Sequence, residues 1–482
     1  MTSRRSVALA TIALLLAGCD SGDTPNYTPS VTAEDRALAE KQHPQLLAEF
    51  GGEWTGPEAA YVKKLGDTLA NAAGLGGQCT FTMVNTDVVN AFAVPGCYIY
   101  VTRGLFGIVN SEAELASVIG HEIGHIVAEH SERRQKRSIW SGLGALAVGV
   151  ITGSETLANM AGRAAQFYTL SYSRTQEYES DDLGIRYLVQ AGYDPYAAAD
   201  MLESLADHDA YMARTRNLDV AKAIPAWARS HPLTEDRIKR ANRQAEATGH
   251  GPDVLPDHED RFLRQVDGLL WGDDPEQGFV TGRRFAHPGM GISFEAPDGF
   301  FLTNSPRAVL IDGGELRGQF GGAIMPPGGL SAYTQVLLRE VLGQAASGAR
   351  IGKAQRTLVN GVDTIFVPAT VATPQGEAQI TVAAFQGRGR EGFHFITAGP
   401  PGHEREISAL IESFRLLTRE EAATLRPRTI DVVTVAEGDT IASMAQRMAV
   451  PDHHLDAFLM LNDRDPKPEL RPGEKIKLIV RG

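Results

Sequence analysis

Three residues within one pentapeptide have the types and the spacing that a hydrolytic metal site requires. His121 and His125 lie four positions apart, and Glu122 follows the first of them, in the pattern H-E-x-x-H. On a helix, positions four apart share one face, so both imidazoles can bind one Zn²⁺ at about 2.0–2.1 Å. Glu122 then points to the same region, where its carboxylate can accept a proton from a metal-bound water. The pentapeptide therefore predicts one Zn²⁺ per chain, with His121 and His125 as ligands and Glu122 as the catalytic base.

The residues around the pentapeptide predict the helix that this arrangement needs. Ser111 is a typical N-cap, and an acidic first turn follows it. Apolar residues then recur at helical spacing, at positions 115, 118, 119, 123 and 126. Glu122 falls within this apolar stripe, where an ordinary surface helix would carry no carboxylate. His130 lies about 140° around such a helix from His125, which predicts a structural role rather than a ligand.

An acidic segment further along the chain offers a third ligand. Glu177, Glu179 and Asp181 occupy alternate positions there. By composition Glu179 is as good a ligand as Glu177, but the two lie about 200° apart on a helix, so only one can face the metal. Two histidines and one carboxylate would leave a fourth position for water, as a hydrolytic zinc requires. Taken alone, however, such a segment is more often a solvated acidic helix face.

Two strands are predicted just before the pentapeptide helix. Residues 79–84 and 97–102 alternate in the manner of strands, and a Pro-Gly turn precedes the second. Asn90, Ala91 and Phe92 lie between them and predict a strand edge to which an extended peptide substrate can add. The alternative is a plain hairpin that only packs under the helix.

The first residues predict export and a lipid anchor. Two arginines and an apolar run at residues 7–17 are typical of a signal peptide, because the run is too short to span a bilayer. It ends in Leu-Ala-Gly-Cys, which resembles a bacterial lipobox and implies a lipidated Cys19 after removal of residues 1–18, with residues 19–32 as a flexible tether. We therefore expect a membrane-anchored lipoprotein of the bacterial periplasm, an ordinary signal peptide being the alternative. Residues 139–151 form a second apolar run, again too short for a transmembrane helix. It predicts a buried helix or a flap over the cleft, with a segment that dips into the membrane as the alternative.

The stretch NAFAVPGCYIYVTRGLF at residues 90–106, followed by HEIGH, resembles the zinc metallopeptidase family that includes HtpX, Oma and the Ste-type CAAX prenyl protease. The resemblance is greatest to soluble periplasmic members of that family. It implies an α+β fold, with a mainly helical gluzincin-type domain and a small sheet over residues 33–250, and it implies that the segment from Asn90 binds the substrate. Through a Glu-x-x-x-Asp pattern, it also implies that Glu177 is the third zinc ligand and that Asp181 orients a ligand histidine.

Two further features are interpreted through the same family. The Ser-His-Pro segment at His231 resembles a segment of the periplasmic members in which the histidine approaches the zinc and occupies or regulates its open position. We therefore include His231 among the catalytic residues, with a simple turn residue before proline as the alternative.

Cys97 stands where many members have a glycine, so a disulfide with Cys79 would depart from the family. We predict this disulfide because, once Cys19 is lipidated, only these two cysteines remain in an oxidising compartment.

The C-terminal half predicts three further parts. Residues 251–283 form a linker, and residues 284–418 show the strand and helix patterns of a small accessory α+β domain without an evident catalytic cluster. Residues 429–482 resemble a LysM module, with VTVAEGDTI near the start, LRPGEKIKL near the end, and a βααβ order of elements. That resemblance implies binding to glycans that contain N-acetylglucosamine, here peptidoglycan. A module of this shape that has lost glycan binding is the alternative.

Composition narrows the choice of partners. A net charge of −13 at pH 7 argues against nucleic acid, and 43% hydrophobic residues in a chain of 482 are typical of globular domains. The motifs and the family resemblance together predict a lipid-anchored periplasmic zinc endopeptidase that cleaves unfolded or misassembled envelope proteins. Two alternatives stay open: a zinc endopeptidase that cleaves peptidoglycan cross-links, and a catalytically silent scaffold that binds peptidoglycan.

Overall fold

The computed structural model describes residues 27, 29–131, 171–215, 226–373 and 376–482. The predicted signal peptide, the predicted lipidation site Cys19 and the apolar run at residues 139–151 lie outside the described residues. Within the described ranges, no helix is both long enough and apolar enough to span a bilayer.

The first half of the chain is mainly helical and contains one small sheet. Its described helices are α1 (Ala33–Glu49), α2 (Pro57–Ala72), α3 (Arg103–Ile108), α4 (Glu112–Val127), α5 (Arg174–Ala191), α6 (Ala197–Thr215), α7 (Ala226–Ser230), α8 (Glu235–Ala247) and α9 (Glu259–Val266). Its described strands are β1 (Thr80–Val84), β2 (Ala91–Val94) and β3 (Tyr98–Thr102). This combination confirms the predicted α+β class.

The second half is mainly composed of strands. These are β4 (Leu270–Trp271), β5 (Phe279–Thr281), β6 (Arg284–His287), β7 (Ile292–Glu295), β8 (Phe301–Thr303), β9 (Val309–Gly313), β10 (Leu316–Ile324), β11 (Arg350–Ile351), β12 (Gln355–Val359), β13 (Val362–Thr373), β14 (Gly376–Gln386), β15 (Glu391–Gly399), β16 (Arg415–Leu416), β17 (Arg428–Thr434) and β18 (Lys475–Arg481). The helices are α10 (Gly329–Leu342), a 3₁₀ turn (Gly343–Ser347), α11 (Glu404–Ser413), α12 (Arg419–Thr424), α13 (Ile441–Ala445) and α14 (His454–Leu461). Strands β8 to β15 form an eight-stranded sheet, and β5, β6, β7 and β16 form a four-stranded sheet.

Helix α4 carries the H-E-x-x-H pentapeptide and is buried on nearly every side. It begins where the side chain of Ser111 accepts a hydrogen bond from the backbone N–H of Glu114, as predicted for an N-cap. It ends at Val127, and Glu129 then adopts a left-handed backbone conformation with φ of 52°. Because α4 ends before His130, the predicted angle around a continuous helix was wrong, and the turn decides where that imidazole lies.

Glycines allow α4 and α5 to pack closely against each other. A Cβ atom added at Gly120 would lie 3.3 Å from the Cα atom of Gly184, and one added at Gly124 would lie 3.0 Å from the carbonyl oxygen of Ser180. A Cβ atom added at Gly184 would lie 3.1 Å from the backbone nitrogen of His121. The two backbones therefore run almost in contact, which shortens the gap that side chains from α4 and α5 must bridge.

The small sheet has the order β1-β3-β2, so β2 lies at one edge. β1 and β3 are parallel, whereas β2 pairs antiparallel with β3. A plain hairpin of β1 and β3 is therefore wrong, because parallel neighbours cannot be joined by a tight turn. Cys79 and Cys97 precede these two strands, their Cα atoms are 4.6 Å apart, and they form the predicted disulfide.

The C-terminal elements β17, α13, α14 and β18 follow the strand, helix, helix, strand order that the sequence predicted. Their relation to LysM modules stays a prediction. The sheet of this module has the order β18-β17-β4, so a strand from the predicted linker joins it. Phe106 and Phe262 of the helical half lie in the same buried apolar cluster as Ile430 and Leu478 of the module. The module is therefore packed into the core of the helical half.

Lys477 on β18 is fully buried at this contact, with 0% of the residue exposed. Its Nζ atom donates hydrogen bonds to the carbonyl oxygens of Gly107, Ile108 and Val109, at 3.1, 3.1 and 2.7 Å. Burial lowers the pKa of the Lys477 ammonium, and the Glu114 carboxylate opposes that shift. The ammonium thus satisfies carbonyl groups at the end of α3 that have no partner within the helix.

We expect Lys477→Ala to lower the free energy of unfolding by about 3 kcal/mol, because three carbonyl groups lose their buried hydrogen-bond donor. Urea unfolding followed by circular dichroism at neutral pH measures this change. Lys475→Ala is the matched control, because Lys475 lies on the same strand and its Nζ atom is 2.6 Å from the exposed Asp260. Equal unfolding free energies for the two variants would contradict the role assigned to Lys477.

Candidate active site

Four side chains converge in the helical half. Ring nitrogens of His121, His125 and His231 and a carboxylate oxygen of Glu177 lie within 4.8 Å of one another, and all four residues are buried. The Nε2 atoms of His121 and His125 are 3.0 Å apart. The Nδ1 atom of His231 is 3.2 Å from Nε2 of His121 and 3.1 Å from Oε1 of Glu177. The structure thus brings together the two predicted histidine ligands, the predicted third ligand and His231.

Two helices deliver three of these side chains. α4 presents His121 and His125 one turn apart, and α5 presents Glu177 from its first turn. α5 begins with a capping box, in which the side chains of Ser173 and Gln176 each accept a hydrogen bond from the backbone N–H of the other. This cap fixes the turn that carries Glu177, and the glycine contact between the helices fixes its distance from the histidines.

His231 comes from the segment that follows α7. Its backbone N–H donates to the carbonyl oxygen of Trp227 at 2.8 Å, and its ring stacks on the indole, with centroids 4.3 Å apart and planes 22° apart. Its Nε2 atom lies 3.4 Å from Oε1 of Glu122, so the ring lies between Glu122 and Glu177. This placement among the carboxylates of the site favours a functional role over that of a simple turn residue.

Glu122 is 0% exposed, and neither of its carboxylate oxygens has a hydrogen-bond partner of ordinary geometry among the described residues. Burial raises the pKa of this carboxyl, while His231, His121 and the backbone N–H of Ala93 act in the opposite direction. Buried carboxylates without partners are rare and concentrate at functional sites. Because Ala93 belongs to β2, Glu122 also faces the edge strand of the small sheet.

Asp181 and Arg237 contact two members of the cluster, His121 and Glu177. The Oδ1 atom of Asp181 lies 2.9 Å from Nδ1 of His121, where the family pattern implied a partner for a ligand histidine. Arg237 on α8 donates to both oxygens of Asp181, from Nε at 2.9 Å and from Nη2 at 2.8 Å, and its Nη1 atom is 2.7 Å from Oε2 of Glu177. Burial acts to raise the pKa of the Asp181 carboxyl, but Arg237 and His121 hold it well below its usual range.

Arg237 was not predicted from the sequence. It lies in the first turn of α8, after the N-cap Thr234, and an arginine in such a place is typical of a solvated helix. In the structure it is only 2% exposed, and its pKa is raised by Asp181 and Glu177 in spite of burial. No pattern in the sequence indicates the role of Arg237, because the carboxylates that it contacts belong to another helix.

The nitrogen atoms of the cluster fit a divalent cation. Asp181 lies where it can accept the Nδ1–H of His121, and in the neutral ring the Nε2 atom then carries a lone pair. Ring nitrogens that face one another at 3.0 and 3.2 Å repel unless protons or a cation lie between them. Burial and the neighbouring imidazoles lower the pKa of His125, which disfavours protonation. Imidazole and carboxylate donors in this combination suit Zn²⁺.

The predicted substrate residues lie on β2 or just before it. Asn90 and Ala91 are 3% and 0% exposed, and the backbone of Asn90 is hydrogen-bonded to the hydroxyl of Thr102. Phe92 stacks on Tyr100, with ring centroids 4.7 Å apart. These side chains therefore hold the edge strand in place, and what β2 offers to an extended peptide is its outer backbone edge.

An H-E-x-x-H helix packed beside a second helix that supplies a glutamate defines a class of metallopeptidases, in which two histidines and one carboxylate hold the metal. Residues 57–245 match the profile that describes peptidase family M48. This match covers 189 of the 482 residues, and it confirms the family resemblance predicted from the sequence.

Several curated proteins resemble this chain. The beta-barrel assembly-enhancing protease of Yersinia pestis is 32% identical over 195 residues, which are 38% of this chain and 38% of that protein. The mitochondrial metalloendopeptidase OMA1 of Arabidopsis thaliana is 37% identical over 123 residues, 26% of this chain and 25% of that protein. Metalloprotease LoiP of Escherichia coli K12 is 27% identical over 227 residues, 43% of this chain and 86% of that protein. The matched region thus spans less than half the length of the assembly-enhancing protease.

We expect Arg237→Lys to weaken Zn²⁺ binding about 10–100-fold, because lysine keeps the charge but loses the planar fork that holds Asp181 and Glu177. Competition with a chelating dye measures the dissociation constant. Arg240→Lys is the matched control, because Arg240 lies on the same helix and pairs with Asp182. Folded Arg237→Lys protein with the zinc affinity of the control would show that this contact does not support the ligands.

Proposed function

We propose that this protein is a zinc-dependent metalloendopeptidase in which Glu122 is the general base. The observation that carries the proposal is Glu122 itself, a buried carboxylate whose oxygens have no hydrogen-bond partner of ordinary geometry among the described residues, next to the cluster of three imidazoles and Glu177. Buried carboxylates of this kind are uncommon and concentrate at functional sites. In this proposal His121, His125 and Glu177 hold one Zn²⁺ per chain.

When bound, zinc supplies Lewis-acid activation of the scissile carbonyl and of water, whose pKa it lowers to about 7. The residues of the chain position the substrate and move the proton. Because burial raises the pKa of the Glu122 carboxyl, its ionised form is a stronger base than an exposed glutamate, and it can take a proton from the attacking water and pass it to the leaving amine. The edge of β2 would align an extended peptide beside Glu122 by strand addition.

We propose unfolded or misassembled proteins of the bacterial envelope as the substrates. Strand addition requires an extended backbone, which a folded protein does not present. The relative from Yersinia pestis is named a beta-barrel assembly-enhancing protease, and that name supports a role in the envelope. The match on which this support rests covers 38% of each chain. The proposal also includes a periplasmic location, a membrane anchor at Cys19, and binding of the C-terminal LysM-like module to peptidoglycan. These three parts rest on the sequence.

Cleavage of peptidoglycan cross-links is the second candidate, and the βααβ order of the C-terminal module favours it. A silent scaffold is disfavoured, because His121, His125 and Glu177 lie together with Glu122 beside them. Incubating the purified protein with casein and with peptidoglycan, each with and without a zinc chelator, separates the three functions. Chelator-sensitive cleavage of casein supports the leading proposal, chelator-sensitive cleavage of peptidoglycan alone supports the second, and no cleavage supports a scaffold.

Glu122→Gln should keep the bound zinc and lose casein cleavage by a factor of about 10² or more, because the ligands are intact and the base is absent. Zinc content by atomic absorption and casein hydrolysis measure the two effects. Glu129→Gln is the control, because Glu129 is an exposed glutamate just after the same helix. Activity of Glu122→Gln above about 10% of the unaltered protein would refute its assignment as the base.

We further propose that His231 acts as a fourth ligand in the resting protein. Its Nδ1 atom lies 3.2 Å from Nε2 of His121, in the region that water and substrate must occupy during hydrolysis. Neutral imidazole is a good zinc ligand, so His231 in this place would keep the protease inactive until a substrate displaces it.

His231→Ala should therefore raise the basal rate of casein hydrolysis several-fold, because the position that His231 occupies becomes open to water. His250→Ala, in the loop after α8, is the control and should have the unaltered rate. A fall in kcat of about 10²–10³-fold would instead make His231 a stabiliser of the transition state. An unchanged rate would return it to the role of a turn residue.

A further inference from the structure

A second chain of hydrogen bonds runs from His125 away from the cluster. The Nδ1 atom of His125 lies 2.8 Å from Nδ1 of His130, and Nε2 of His130 lies 2.8 Å from Oε2 of Glu179. The side chains of His130 and Glu179 are 0% and 15% exposed. His130 reaches this place because α4 ends at Val127 and the left-handed turn at Glu129 redirects the chain.

The two ends of this chain of hydrogen bonds, His125 and Glu179, determine which of its atoms donate and which accept. A zinc ligand must offer the lone pair of Nε2, so a neutral His125 carries its proton on Nδ1. That N–H donates to Nδ1 of His130, which must therefore be an acceptor. A neutral His130 then carries its proton on Nε2, which donates to the Glu179 carboxylate. The Ser180 hydroxyl, 3.4 Å from Nδ1 of His130, can at most share the single lone pair of that nitrogen with the closer His125, so it leaves this order unchanged.

The reverse order fails at both ends. If His130 donated from Nδ1, the proton of a neutral His125 would lie on Nε2, inside the cluster, and would block the lone pair that a metal needs. A neutral His130 would also present an unprotonated Nε2 to the Glu179 carboxylate, and two acceptors 2.8 Å apart repel each other. Of the two orders, only the first leaves the lone pair on Nε2 of a neutral His125 open to a metal.

We propose that His130 and Glu179 are positioning residues that fix the tautomer and the orientation of His125 for metal binding. The inference rests on the proposed zinc site and deepens it, since neither residue belongs to the cluster of ligands. Tyr172 contributes to the same end, because its ring stacks on His125 with centroids 3.7 Å apart and planes 18° apart. The ring of His125 is thus held at its edge by His130 and on its face by Tyr172.

Helix α5 then supplies three carboxylates, those of Glu177, Glu179 and Asp181, and each makes a different contact at the site. Glu177 belongs to the cluster, and Asp181 contacts His121 directly at 2.9 Å. Glu179 lies about 200° around the helix from Glu177, too far to contact a ligand histidine itself. The imidazole of His130 bridges that gap, so both ligand histidines are oriented by carboxylates of one helix.

The test compares zinc binding in variants of the full chain. His130→Phe keeps an aromatic ring and removes both nitrogens, so we expect Zn²⁺ affinity to fall about 10–100-fold and the visible spectrum of the Co²⁺-loaded protein to change. Glu179→Gln removes the charge at the far end and should cause a smaller loss. The double variant should bind no more weakly than His130→Phe alone, because Glu179 acts through His130.

Asp182→Asn is the matched control, because Asp182 lies on α5 and pairs with Arg240. It should bind Zn²⁺ as the unaltered protein does. Unchanged affinity and an unchanged Co²⁺ spectrum in His130→Phe, or additive losses in the double variant, would overturn the proposal. If circular dichroism shows that His130→Phe does not fold, Glu179→Gln decides alone, and an unchanged affinity there overturns it.

These results are distinguishable from a failure of the proposed function. An unaltered protein that binds no zinc and cleaves no casein would remove the zinc site and this inference together. An unaltered protein that binds zinc and cleaves casein, with His130→Phe and Glu179→Gln equal to it in affinity and spectrum, would remove only the roles of His130 and Glu179.

Discussion

The close contact between α4 and α5 is the constraint on which the rest of the site depends. α4 carries both histidines and Glu122, whereas α5 carries Glu177, and a carboxylate can join the cluster only if the helices nearly touch. Gly120, Gly124 and Gly184 make this possible, since a methyl group at Gly124 would already lie 3.0 Å from backbone of α5. A site of this kind tolerates displacements of only about 0.5 Å, so larger side chains at these glycines would separate donors that must converge.

The site also concentrates ionisable groups where water is excluded. Burying an unpaired charge costs several kcal/mol, so buried charges require partners. Arg237 pairs with Asp181 and Glu177; it lowers the pKa of the Asp181 carboxyl, and His231 and Arg237 together lower that of the Glu177 carboxyl, in spite of burial. Among the described residues Glu122 has no arginine or lysine partner, and the Nε2 atom of His231 approaches it at 3.4 Å. A divalent cation in the neighbouring imidazoles would balance this remaining charge, which gives a physical reason for the base and the donor set to occur together.

The C-terminal module is part of the same packing arrangement. Lys477 contacts the end of α3, and α4 begins a few residues later at Glu112. β4 extends the sheet of the module, and the apolar residues of the module complete the core around Phe106. A module that served only as a tethered glycan-binding unit would not require a buried ammonium in this contact. Its position instead supports the helix that carries His121 and His125.

Features that depend on spacing within one element, or on a family pattern, could be predicted from the amino-acid sequence. The N-cap at Ser111 and the pentapeptide helix follow from local propensities, and the pattern around Glu177 identified the helix that supplies a carboxylate to the cluster. Which distant residues meet is visible only in the folded protein, namely Arg237 with Asp181 and Glu177, His130 at the second ring nitrogen of His125, and β1 in parallel pairing with β3. These contacts join elements that are far apart along the chain or follow a turn that ends a helix. Spacing carries no information about them, because packing determines which side chains become neighbours.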